Sequence, residues 1–92
     1  MPLFAIVAYD RPDAGTLRAD TRPRHLVHLE AIRDKATTIG PMLDESGTPL
    51  GSIIVADFAD LAAAQAFAAA DPYAQAGLFA SVAVTAYRQV FP

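Results

Sequence analysis

The chain has 92 residues, 53% of them hydrophobic and 18% charged, with a net charge of −3 and no cysteine. That length fits a single domain over residues 1–92, the apolar content excludes a disordered chain, and the lack of cysteine excludes disulfides, thiolate metal ligands and a thiol nucleophile. A pI near 5.0 without any Lys or Arg run argues against nucleic acid and anionic lipid as partners.

In chain order, Leu3–Tyr9 is a continuous apolar run stopped by Asp10-Arg11-Pro12, which predicts a buried strand. Arg11–Asp20 reads as a loop. Thr21–Lys35 is predicted as a helix, with Pro23 confined to its first turn, where a missing N–H costs nothing. Ala36–Leu43 is a second strand, Asp44–Pro49 a hairpin loop and Leu50–Asp57 a third strand. Asp60 is an N-cap for a second helix over Leu61–Ala70. Asp71-Pro72 then punctuates, Tyr73–Ala76 forms a turn closed by Gly77, and Phe79–Tyr87 is a fourth strand. Met1–Asp10 lacks a basic leader and is too short for a signal peptide, and Leu61–Ala70 falls well short of the roughly 20 apolar residues that cross a bilayer. The expectation is a cytoplasmic protein with no membrane partner.

The order β-α-β-β-α-β, built from two right-handed crossovers joined by a hairpin, predicts an α+β ferredoxin-like sandwich with antiparallel strand order 4-1-3-2. Both helices then cover one face of the sheet. The other face has no helix left to cover it, yet strands 1 and 3 carry little that is polar. A homodimer through the sheet faces follows as an expectation.

At 100° per residue, Arg22, His25, Leu29, Ile32 and Ala36 lie within about 40° of one line on the first helix. The lower half of this stripe is apolar, whereas the upper half carries two polar groups that need partners or solvent. His28 lies about 80° off the line and reads as a solvated flank residue. In a helix that starts at Thr21, His25 occupies the first turn, where the helix dipole disfavours imidazolium and favours a neutral base.

The topology gathers Asp10, Arg22, His25, Gly40-Pro41, Gly51-Ser52 and Asp71-Pro72-Tyr73 at one edge. A carboxylate on one ring nitrogen of His25 fixes its tautomer and frees the other nitrogen for substrate. Asp71 and Asp10 are the two candidates, and Asp71 also suits an N-cap followed by Pro72. Ser52 and Arg22 are candidate contacts to a substrate oxygen. His25 and His28 have no evident third metal ligand, and no phosphate loop or nucleophile elbow is present, so neither metal nor cofactor is expected.

Five segments in order carry a resemblance: Tyr9-Asp10, Arg22-Pro23-Arg24-His25-Leu26, Gly40-Pro41-Met42, Gly51-Ser52 and Asp71-Pro72-Tyr73 with Ala76-Gly77. Together they resemble the YciI-like (YCII-related) family over essentially the whole chain. The resemblance implies a ferredoxin-like domain that dimerises as an α/β barrel. It also implies a small cleft with a His25–Asp71 pair, lined by Ser52 and Arg22. Some members resemble enzymes of aromatic and lactone breakdown, among them a dehydrochlorinase of a chlorinated hydroquinone. The expected function is a cofactor-independent lyase or isomerase in which His25 abstracts a proton beside a carbonyl, Asp71 orients it, and Arg22, Ser52 and Asp10 contact a small-molecule substrate. The alternative is a non-catalytic dimer that binds a small ligand in the same cleft.

Overall fold

The computed structural model describes residues 2–92. Its elements are β1 (Leu3–Asp10), α1 (Leu17–Glu30), a 3₁₀ turn at Arg33–Lys35, β2 (Ala36–Leu43), β3 (Pro49–Asp57), α2 (Leu61–Ala70), α3 (Pro72–Gln75) and β4 (Phe79–Tyr87). The four strands form one antiparallel sheet in the order β2-β3-β1-β4. This is the predicted ferredoxin-like α+β architecture.

Strand periodicity decides which residues the helices cover. Phe4, Ile6 and Ala8 of β1 are buried beneath the helices, with Ile6 facing Ile54 on one side and Val84 on the other. Ile32, Ala64 and Ala68 come down from above to complete this core with Phe58. The alternate residues Leu3, Ala5, Val7 and Ile53 line the opposite face and are half-buried, with no helix over them. A Cβ at Gly51 would overlap the Ala8 carbonyl oxygen, so the approach of β1 and β3 requires glycine there. No helix among the described residues is long and apolar enough to cross a membrane.

The first helix departs from expectation. It begins at Leu17, within the predicted loop, and it ends at Glu30. Gly15, at φ +59°, turns the chain into it, and the Thr16 hydroxyl donates to Asp20 Oδ2 at 2.9 Å. Pro23 is therefore an interior residue, and it removes the hydrogen bond to the Ala19 carbonyl. Ala19 and Pro23 are both exposed, so water can satisfy that carbonyl. His25 lies well past the first turn, and the helix-dipole effect expected there does not apply.

The helices of the second half of the chain have capped ends. The Asp60 side chain caps α2 by accepting from Ala63 N at 2.8 Å. Asp71 caps α3 by accepting from Tyr73 N at 2.9 Å, with Pro72 following it. α3 ends in the paired bonds of a Schellman motif, Leu78 N to Tyr73 O and Gly77 N to Ala74 O, with Gly77 at φ +77°. Arg11 at the exit of β1 donates from its backbone N to Leu78 O and from Nε to Gly77 O. Asp71 and Tyr73 thus sit in a short helix fixed at both ends and anchored to the first strand.

Candidate functional site

A cleft of about 730 Å³ opens between α1, the β1–α1 loop and the β2–β3 hairpin. Leu26, Leu29, Ile39, Pro41, Leu50 and Leu78 supply apolar wall. Asp44 and Thr48 line it at the hairpin, and Asp10, Arg18, Arg22, His25, Ser52 and Tyr73 line it toward the end where α1 meets α3.

His25 and Asp71 are both buried there, and His25 Nδ1 lies 2.9 Å from Asp71 Oδ1. A carboxylate oxygen only accepts, so Nδ1 carries the proton in this contact. The same oxygen accepts from Tyr73 N, so the cap that starts α3 also aims the carboxylate at His25. Nε2 makes no hydrogen bond to a described residue, and His25 lines the cleft. Of the two carboxylates considered for fixing the His25 tautomer, Asp71 is the one in contact with the ring, and Asp10 is engaged by Arg18.

The Tyr73 ring stacks on the imidazole, with centroids 3.9 Å apart and planes at 18°. The Arg18 guanidinium lies over the same ring, 4.7 Å from its centroid. Arg18 then clamps Asp10 with two hydrogen bonds, Nε to Oδ2 at 2.7 Å and Nη2 to Oδ1 at 3.0 Å. Its Nη2 also donates to Ser52 Oγ at 2.9 Å. Burial opposes the Arg18 charge most strongly, but the hydrogen bonds and charge of Asp10, with Tyr73 alongside, hold its pKa above the ordinary guanidinium value. One contact chain therefore runs Ser52–Arg18–Tyr73–His25–Asp71, with Asp10 attached at Arg18.

All five residues predicted for the site meet at this edge, in different states. His25 and Asp71 pair directly. Arg22 is exposed on the cleft wall and forms no ion pair among the described residues. Asp10 and Ser52 line the cleft but are engaged by Arg18, so they position Arg18 before they can meet any ligand. Arg18 itself went unpredicted because its segment reads as loop. The signal was available: the polar stripe of Arg22 and His25, carried one turn back, reaches Arg18. His28 also differs from its expected solvated state. It is half-buried, stacked on Phe67 at 4.0 Å, and its Nε2 lies 3.0 Å from Phe67 O.

The chain thus combines a ferredoxin-like sheet with a buried His25–Asp71 contact beside a small cleft. The sequence matches the YCII-related domain over residues 2–88, and the chain belongs to that family. It is 39% identical to the protein YciI of Escherichia coli O6:H1, with 97% of this chain and 99% of that protein aligned. An uncharacterized protein of Haemophilus influenzae is 34% identical over 96% of this chain and 98% of its own length. Among solved structures, the 5-chloro-2-hydroxyhydroquinone dehydrochlorinase of Burkholderia phenoliruptrix AC1100, in complex with 2,5-dihydroxybenzoquinone, superposes with a TM-score of 0.86. Identity is 30%, over 94% of this chain and 93% of the other. An antibiotic biosynthesis monooxygenase shares the fold alone, at a TM-score of 0.55 and 14% identity over 98% of this chain and 99% of its own.

Proposed function

We propose that this protein is a cofactor-independent enzyme of the lyase or isomerase type, acting on a small oxygenated molecule by proton abstraction. The observation that carries the reading is the 2.9 Å contact of His25 Nδ1 with Asp71, which leaves Nε2 as an acceptor in the cleft. Nε2 takes the substrate proton, and Asp71 stabilises the imidazolium that forms. Arg22, exposed on the cleft wall, offers its guanidinium to the oxygen on which negative charge develops. In an elimination, the electron pair of the broken bond to hydrogen moves inward and expels the leaving group from the neighbouring carbon. The similarity to a dehydrochlorinase supports that version of the chemistry.

The open sheet face supports a second element of the proposal, a homodimer formed by two such faces. Leu3, Ala5, Val7 and Ile53 supply the apolar contact, and sedimentation analysis is expected to give twice the chain mass. A monomer at micromolar concentration contradicts it.

Chloride release from 5-chloro-2-hydroxyhydroquinone, followed alongside a panel of enols and lactones, tests the activity. The expected result is turnover by the wild type that His25→Gln lowers by about 10²–10⁴-fold. Full turnover by the variant contradicts the base role, and ligand binding without turnover across the panel assigns the cleft to a binding protein instead.

A further inference from the structure

Beyond His25 the cleft continues over apolar surface that the fold leaves open. Leu26 is 42% exposed, and Leu29 and Ile39 are half-buried where they pack against the core. All three line the cavity. Both walls are ordered. Along α1, Arg18, Arg22, Leu26 and Leu29 follow at three- or four-residue steps, so one stripe of the helix changes from guanidinium to leucine. Opposite it, β3 presents Ser52 and then Ile54 on the face shared with Ala8 and Ile6, paired across the sheet with Pro41 and Ile39 of β2. The two walls change in the same direction. Arg18 bonds Ser52 at the polar end, and Leu29 and Ile39 meet the core cluster that contains Ile54 at the other.

Lengths set the scale. His25 and Leu29 are about 6 Å apart along the helix axis, and Ser52 and Ile54 about 7 Å apart along the strand. A benzene ring fits a cavity of about 150 Å³, whereas the cleft measures about 730 Å³. A single ring whose oxygens meet His25 and Arg22 therefore fills the polar end and leaves Leu26, Leu29 and Ile39 against water, where apolar surface gains nothing. Toward the hairpin the cleft meets the Asp44 carboxylate, so an apolar group gains more by running under Leu26 and Leu29.

We infer that the substrate class is an oxygenated ring or enol bearing an apolar arm, with its oxygens at His25 and Arg22 and the arm laid between α1 and β2 against Leu26, Leu29 and Ile39. The inference rests on the proposed function and deepens it: the polar end does the chemistry, and the apolar wall selects by length.

The test is calorimetric titration with 2,5-dihydroxybenzoquinone and its methyl, propyl and pentyl derivatives, using the wild type, His25→Gln, Leu26→Ser and Ile39→Thr. Affinity of the wild type is expected to rise about 3-fold for each added carbon through propyl, the gain of taking one methylene out of water. His25→Gln is expected to keep that rise, because the arm binds without proton transfer. Leu26→Ser and Ile39→Thr make the wall polar, and each is expected to reduce the advantage of the pentyl derivative over the parent ring about 3-fold or more. Equal affinity across the series overturns the inference and leaves the His25 base standing. A rise that both wall variants leave intact places the arm elsewhere, as on the open sheet face, and also overturns it. No binding of any member by the wild type counts against the proposed function as well as the arm. If a variant does not fold, intermolecular NOEs from the pentyl group to the Leu26 and Ile39 methyls of the wild type read the same contact, and their absence overturns the inference.

Discussion

Two imidazoles on one helix, three residues apart, are packed almost alike. His25 stacks on Tyr73 at 3.9 Å and 18°, and His28 stacks on Phe67 at 4.0 Å and 21°. Each has one nitrogen held at hydrogen-bond distance, 2.9 Å for His25 and 3.0 Å for His28. The difference lies in which nitrogen is held and by what. His25 offers Nδ1 to a carboxylate and keeps Nε2 for the cleft. His28 uses Nε2 itself, on the Phe67 carbonyl in the last turn of α2, where helix carbonyls lack intrahelical partners. Gln75 serves the neighbouring Ala69 carbonyl in the same way. His28 therefore ties α1 to the end of α2, and the same ring that is a base at one position is a clamp at the other. Stacking and burial alone do not make a histidine chemically useful; an acceptor left facing a cavity does.

Variants separate the two roles. The largest effect is expected at the dyad. His25→Gln and Asp71→Asn should each lower turnover by about 10²–10⁴-fold with little change in melting temperature. One oxygen accepts from both Tyr73 N and His25 Nδ1, so Asn retains the cap of α3 and the tautomer but removes the negative charge that stabilises the imidazolium. Steady-state kinetics and thermal melts check both. Arg18→Ala leaves the Asp10 carboxylate without its clamp and Ser52 without its donor. A loss of about 3 kcal/mol in denaturant unfolding is expected, with turnover reduced through displacement of Tyr73. His28→Ala should cost about 1–2 kcal/mol of stability with turnover unchanged; reduced turnover at full stability would break the contrast between the histidines.

The smallest effect is in alkaline solution. The Tyr73 phenol titrates above 10.0 in the folded chain because burial disfavours its charge. Its contribution to stability is complete below the unfolded value of about 10 and declines as pH rises through the folded value. Melting curves of the wild type should fall in that window more steeply than those of Tyr73→Phe.

Much of this site was legible before any coordinates. β2, α2 and β4 have the predicted bounds, and Asp60 and Asp71 cap as their residue types require. Topology brought Asp10 and Asp71 alike to the rim that His25 reaches, because the split crossover carries α1 and the exit of α2 to one edge, and the family resemblance singled out Asp71. Pro23 concealed the rest. Taken as a first-turn residue, it moved the helix start past Arg18 and hid the residue that engages Asp10 and Ser52. The exposed Ala19 carbonyl allows the interior proline, a tertiary circumstance with no sequence signature. His28 was misread for a related reason: its partner is a main-chain carbonyl on another helix, and periodicity on α1 carries no trace of it. The Tyr73 stack likewise depends on side-chain placement across α1 and α3.

Long-range ¹H–¹⁵N correlation spectroscopy of the neutral imidazoles addresses the central claim directly, and the chain has only two histidines to assign. Opposite tautomers are expected, with hydrogen on Nδ1 of His25 and on Nε2 of His28. A spectrum placing the hydrogen of His25 on Nε2 would leave the cleft without a base and contradict the account.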